Sequence, residues 1–219
     1  MLFRNRQEAA HQLAARLAGY RGSDPLVLVI PRGAVIMGQI LAEELDGELD
    51  VVMVRKIGAP GNPELAVGSV AESGEVVVSP WAEETGIPPS WIEQEARRQL
   101  AVLRGQRRRY TPERLPAEPE GRTVIVVDDG VATGATMLAA LEQVRARSPY
   151  KLIAATAVAP RESLEKLAAV ADEVVCLSSP EPFFAVGHFF DDFSQVEDEE
   201  VTAILAADQA RMAGEFSII

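Results

Sequence analysis

The sequence contains one cysteine, Cys176, and two histidines among 219 residues. That scarcity excludes an internal disulfide framework and leaves a zinc site of the Cys/His type without ligands. Cys176, in Val-Val-Cys-Leu, reads as a small buried residue, and His11, among alanines and leucines, reads as structural. No apolar run approaches the ~18 residues of a membrane-spanning helix. The opening MLFRNRQEAAHQL lacks the apolar stretch of an export signal, so a cytoplasmic protein with no membrane partner is expected. A G-x-S-x-G elbow is missing, which removes support for a serine hydrolase. G-x-G-x-x-G is absent and no lysine precedes Thr136, which excludes a dinucleotide fingerprint and a P-loop. With 21 basic against 33 acidic residues, the net charge of −12 disfavours nucleic acid as a partner.

Apolar residues make up 47% and charged residues 25%, the balance of an ordinary folded protein. The length suits a single domain over 1–219. Leu26–Ile30, 51–54, Thr123–Val127, 151–159 and 173–177 are short apolar runs, as strands buried on both faces require. Helical spacing occupies 7–19, ending at Gly19 as a cap, then 34–45 and 161–170, and a further helix follows the Asp128–Thr136 segment and runs to about Arg147. Residues 58–62 break regular structure, and 66–79 read as a strand pair turning at Ser73-Gly74. Ser90 with Glu93, and Ser194 with Glu197, have the spacing of capping boxes that open two further helices. Strands alternating with helices imply an α/β fold, a doubly wound parallel sheet flanked by helices, with a helical insertion at about 80–115.

Seven arginines and one acid, Glu113, lie between Arg97 and Arg114. This run suits either a solvated helix face or a surface for a polyanion, whether a phosphorylated substrate or RNA. Tyr110 alone supplies aromatic character there, which is little for base stacking.

The most informative segment is Val124-Ile125-Val126-Val127-Asp128-Asp129-Gly130-Val131-Ala132-Thr133-Gly134-Ala135-Thr136. An apolar strand delivers two carboxylates to its C-terminal end, where ligands of α/β proteins bind. A loop of small residues and hydroxyls then runs into a helix N-terminus, whose unpaired N–H groups and positive dipole end favour a phosphate. The paired carboxylates would repel that phosphate unless they face a sugar diol or Mg²⁺.

This segment resembles the phosphoribosyl-diphosphate motif of the type I phosphoribosyltransferases. The resemblance implies that Asp128 and Asp129 bind the ribose hydroxyls and assist a Mg²⁺ cofactor, while the loop from Gly130 and Val131 through Ala132, Thr133, Gly134, Ala135 and Thr136 holds the 5-phosphate. Ala132 resembles the adenine branch; the hypoxanthine–guanine branch has aspartate there. Pro31-Arg32-Gly33 matches the family's pyrophosphate loop, which implies a cis peptide between Pro31 and Arg32. Arg55-Lys56 resembles the start of the catalytic flexible loop, expected over Gly58–Gly68, with Gly58, Gly61 and Gly68 as hinges. Phe184-Ala-Val186-Gly187-His-Phe-Phe-Asp191 resembles the hood over the acceptor base, within a hood and C-terminal segment of about 178–219. Phe184 and Val186 would then contact the acceptor, and Asp191 the metal or pyrophosphate. The purine-reading lysine of hypoxanthine–guanine enzymes has no counterpart at Ala159-Pro160, so the acceptor stays open. The implied enzyme joins the ribose C1 of phosphoribosyl diphosphate to a small nitrogenous acceptor, with Lys56, Arg32 and Asp129 as its catalytic groups, and forms a homodimer. The alternative is a regulatory protein of the same fold that binds phosphoribosyl diphosphate or RNA.

Overall fold

The computed structural model describes residues 2–215 except 80, 81, 83, 85 and 113. Glu113, and the start of the expected insertion at Pro80 and Trp81, lie outside the described residues. In chain order the elements are α1 (Arg6–Arg16), β1 (Leu26–Val29), α2 (Ala34–Leu45), β2 (Glu48–Val51), β3 (Val54–Ala59), β4 (Asn62–Ala71), β5 (Val76–Val78) and α3 (Pro89–Tyr110). There follow β6 (Thr123–Gly130), α4 (Ala135–Ala146), β7 (Lys151–Val158), α5 (Arg161–Ala168), β8 (Glu173–Ser178) and α6 (Asp198–Glu215). Among the described residues, no helix is long and apolar enough to cross a membrane.

Five strands form a parallel sheet in the order β2-β1-β6-β7-β8. Alternate residues serve opposite faces. Val27, Val29, Ile125, Val127 and Ile153 join the core beneath α1 and α2. Leu26, Leu28, Val124, Val126 and Leu152 pack with Met137, Leu141 and Val144 of α4 and Leu167 of α5. Both faces are therefore dry, which is why these strands are apolar throughout. The chain order reverses between β1 and β6, and in such sheets the crevice at that reversal is where ligands bind. The crevice is lined by the turn at 30–33 after β1, and by the end of β6 with the 131–134 loop that follows; β6 runs to Gly130, beyond the Val127 end that the apolar pattern suggests.

A second, antiparallel sheet of β3-β4-β5 packs against α3. It corrects the irregular reading of 58–62. Val54–Ala59 and Asn62–Ala71 pair as a hairpin whose turn uses Gly61 at φ +75°. The turn at Ser73-Gly74 is present, with Gly74 at φ +93°. Nor is 51–54 one strand: Val51 pairs with Val29 in the parallel sheet, and Val54 pairs with Ala71 in the hairpin.

The cap assignments also change. Leu17 caps α1, its N–H bonding to the Leu13 and Ala14 carbonyls, and Gly19 falls inside a following 3₁₀ turn. Pro88 caps α3 with no side-chain bond, and Pro89 opens the helix, a position where a missing N–H costs nothing. Ser194 bonds the Asp192 carboxylate instead of capping a helix, and α6 begins at Asp198.

Candidate active site

Both crevice loops are fixed by contacts that the fold makes obligatory. The Pro31–Arg32 peptide is cis. Gly33, next in the chain, has ordinary right-handed helical torsions, φ −54° and ψ −40°. Its glycine identity comes from proximity: a Cβ there would sit 2.2 Å from Asp129 Oδ2 and 3.0 Å from Arg6 Nη2. The turn after β1 thus presses directly on the second aspartate of β6.

Asp129 is buried and accepts from Arg6 Nε at 2.7 Å. Arg6 Nη1 donates to the Ser194 carbonyl at 2.7 Å, and its guanidinium lies 3.9 Å from the centre of the Phe193 ring. This charge-assisted, stacked arrangement holds Asp129 in one orientation. Asp128 accepts from the Asp129 N–H at 2.9 Å. Burial, then the neighbouring Asp129 charge, push the Asp128 carboxyl well above the usual carboxylate range. Burial also raises Asp129, against the opposing pull of Arg6. Two carboxylates that resist ionisation are poised to gain from donors or a cation placed between them and a ligand.

Beyond them the loop encloses a cavity of about 210 Å³ lined by Asp128 and residues 130–137. Gly134, at φ +84°, turns the chain into α4, a left-handed conformation that favours glycine. The Ala132 carbonyl accepts from Ser163 Oγ at 2.7 Å, so α5 braces the loop from behind. The Thr133 hydroxyl accepts from the Ala135 N–H at 3.5 Å. The arrangement offers N–H groups, hydroxyls and a helix N-terminus to one anion.

Of the other expected residues, Val186, Arg55 and Lys56 come up to the loop after β6, and Arg32 lies in the turn after β1. Val186 lies on Gly130, where a Cβ would come within 2.2 Å of Val186 Cγ1. Phe184 is 75% exposed, which leaves its ring face available. Arg55 and Lys56 line a cavity of about 370 Å³ shared with Ala135 and Thr136. Arg32 reaches the start of α6, 3.5 Å from Glu197 and 3.9 Å from Asp198. Asp198 also accepts from Arg109 and, at 2.8 Å, from the Tyr110 hydroxyl, bonds that hold its carboxyl below the usual range. Asp191 is exposed, with its N–H on the Phe3 carbonyl. It does not gather with Asp128 and Asp129, since no group of three potential metal ligands forms among the described residues. The donor set nevertheless fits Mg²⁺, which is usually held by one or two carboxylates together with substrate oxygens and water, without an all-protein cage.

Sequence reasoning missed Arg6 and Ser163, whose partners lie 123 and 31 residues away. No local pattern signals either. In the arginine-rich stretch, Arg97, Arg98, Arg107, Arg109 and Arg114 each pair with a carboxylate.

Comparison with known proteins agrees with this geometry. A sequence model of the phosphoribosyl transferase domain family matches residues 2–191. Two Mycobacterium tuberculosis proteins, from strains CDC 1551 and H37Rv, each named "Putative phosphoribosyl transferase", are 41% identical over 207 residues, 93% of this chain and 46% of theirs. The chain therefore spans about half the length of these curated relatives. The crystal structure of TT1426 from Thermus thermophilus superposes with a TM-score of 0.88 at 49% identity, covering 94% of this chain and 99% of that one.

Proposed function

The chain belongs to the phosphoribosyl transferase family, and on that premise we propose that it is a Mg²⁺-dependent enzyme that moves the 5-phosphoribosyl group of phosphoribosyl diphosphate onto a nitrogen of a small acceptor, a nucleobase, releasing pyrophosphate. The observation that carries this reading is the packing of the turn at Gly33 against Asp129, 2.2 Å from a notional Cβ to the carboxylate oxygen. It joins a candidate leaving-group loop to a candidate sugar-binding pair at the crevice of the sheet.

In this reading the C1–O bond to pyrophosphate breaks with its electron pair leaving on oxygen, and the acceptor nitrogen forms the new bond to C1. Positive charge grows on the ribose and negative charge on the leaving group. Arg32 and Lys56 offset the latter, an interaction worth most in the transition state. Asp128 and Asp129 accept from the ribose 2- and 3-hydroxyls, with Arg6 fixing the second carboxylate. The loop from Gly130 to Thr136 anchors the 5-phosphate, so C1 is held at a fixed distance from the acceptor. Asp128 and Asp129 would contact Mg²⁺, which when bound supplies Lewis-acid charge neutralisation at the pyrophosphate; Asp191, apart from them, is left out of that set. Phe184 and Val186 would contact the acceptor ring. The alternative of a regulatory RNA-binding protein draws on the arginine-rich stretch, and the pairing of five of those arginines with carboxylates weakens it.

The test is a pyrophosphate-release screen with phosphoribosyl diphosphate, Mg²⁺ and a panel of purines, pyrimidines and small amines. Release that depends on an added acceptor is expected. Release without an acceptor would indicate a hydrolase, and no release with any acceptor would remove the transferase reading.

A further inference from the structure

The segment from Ala185 to Ser194 reaches the end of β6 by two routes. One is direct: the 3₁₀ turn Val186–Phe189 sets Val186 on Gly130, where a Cβ would lie 2.2 Å from Val186 Cγ1. The other runs through Arg6, the first residue of α1. A Cβ on Gly187 would lie 3.1 Å from Phe193 Cδ1, so the turn rests on the Phe193 ring. That ring stacks under the Arg6 guanidinium at 3.9 Å, and Arg6 Nη1 donates to the Ser194 carbonyl at 2.7 Å. Nε of the same guanidinium donates to Asp129 at 2.7 Å, and Nη2 lies 3.0 Å from where a Gly33 Cβ would be. One buried side chain, 7% exposed, thus lies against the turn after β1, the second aspartate of β6 and the far end of the 185–194 segment.

The backbone ties that segment to the start of α1. The Phe189 carbonyl accepts from the Leu2 and Phe3 N–H groups, both at 3.0 Å. The Asp191 N–H donates to the Phe3 carbonyl at 2.9 Å, and the Asp192 N–H to the Arg4 carbonyl at 2.8 Å. Phe3 and Phe190, both buried, form a parallel bridge with ring centres 5.4 Å apart. Asn5 caps α1 by accepting from the Glu8 N–H at 3.0 Å, which fixes Arg6 relative to this strap of residues 2–4. If the segment lifts, the strap moves with it and the guanidinium withdraws from Asp129. Asp129 would then be a buried carboxylate without its cation, a costly state. Seating of the segment and orientation of the carboxylate are favourable only together.

We infer that Arg6 is a positioning residue that couples the seating of the 185–194 segment to the orientation of Asp129, so that a ligand ordering either one orders the other. The inference rests on the proposed reaction for what those ligands are: the donor's ribose at Asp129 and the acceptor beneath the segment. Such coupling is reciprocal, so each substrate favours the binding of the other.

Hydrogen exchange of the full chain, followed at the Asp191 and Asp192 amides, tests it. Without ligand, Asp129→Asn should speed that exchange about tenfold, although its carboxylate reaches the segment only through Arg6. Arg6→Met, which keeps the bulk of the side chain without its charge, should match that effect, and Arg6→Lys should recover part of it. The Arg6→Met/Asp129→Asn double variant should exchange no faster than either single one; additive effects would overturn the coupling. A role for Arg6 confined to packing on Phe193 would leave Asp129→Asn unchanged. Exchange in Asp129→Asn within about twofold of wild type therefore overturns the coupling, and this arm decides even if Arg6→Met fails to melt cooperatively. Saturating phosphoribosyl diphosphate with Mg²⁺ should slow the same amides about tenfold in wild type and less in Arg6→Lys. Calorimetric binding that leaves those amides unchanged overturns the coupling. Ligand-free coupling together with no calorimetric binding of phosphoribosyl diphosphate keeps the coupling and removes the phosphoribosyltransferase reading.

Discussion

Gly33→Ala separates the geometry of the site from the stability of the fold. The Gly33 torsions suit alanine, so the backbone gains about 0.4–1 kcal/mol through the restricted unfolded chain. The new methyl would, however, lie 2.2 Å from Asp129 Oδ2, about 1.2 Å inside ordinary contact. Either the carboxylate swings away or the turn lifts off it. A displaced carboxylate loses its 2.7 Å bond to Arg6, worth about 1.5–3 kcal/mol. The net loss of stability should be about 1–2 kcal/mol, a few degrees in Tm. Activity should fall much further, about 100-fold in kcat/KM, because a shift near 1 Å misplaces the sugar against the leaving-group loop. Gly38→Ala is the control. Its Cβ would lie 2.0 Å from Val29 Cγ1 in the core, so overpacking should cost about 1–3 kcal/mol with kcat/KM unchanged. Pyrophosphate release and thermal melts on both variants decide the matter. Gly33→Ala with kcat/KM within about threefold of wild type would refute the coupling between the two loops.

Asp128→Asn should raise Tm at pH 7.5 by the equivalent of about 0.5–2 kcal/mol while abolishing turnover. The sign follows from its raised carboxyl: the folded state holds the proton more tightly than the unfolded one, so ionisation at neutral pH costs stability. The gain should shrink as pH falls from the folded value toward ~4, and a gain that persists below that would contradict the assignment. Arg107→Met should destabilise the protein by about 3–5 kcal/mol in urea unfolding, since it strands the buried Asp50 and the half-buried Glu72 that accept from Arg107. Burial alone would lower the Arg107 guanidinium, but the Glu72 bond and the Asp50 charge outweigh it, so a neutral response in urea would be inconsistent with that pair. Lys56→Ala should lower kcat about 100-fold with KM changed far less, as stopped-flow or steady-state release would show; a change in KM alone would make the lysine a ground-state binder.

Much of the sheet is legible in the sequence because its strands are buried on both faces and carry the pattern in four or five consecutive apolar residues. Strand β2 misleads for the opposite reason. Asp50 is fully buried in it, tolerated because Arg107 arrives from α3, 57 residues later. A charge with so distant a partner looks like a loop residue, and the apolar Val51–Val54 stretch draws the strand assignment downstream. The hairpin at 54–71 is hidden by Pro60, Gly61 and Pro63, which mark a turn but give no sign that both arms extend up to it. Local chemistry announces the candidate phosphate loop, because Asp128 to Thr136 are contiguous. Arg6 and Ser163 are invisible, since each makes a contact between elements that only the folded sheet brings together.

Calorimetric titration of phosphoribosyl diphosphate with Mg²⁺ into the wild-type chain and into the Asp128→Asn/Asp129→Asn double variant tests the central claim most directly. Saturable heat from the wild type, lost in a double variant that still melts cooperatively, is the predicted result. Heat of equal size and affinity from both proteins, or none from either, would contradict a sugar-phosphate site at the end of β6.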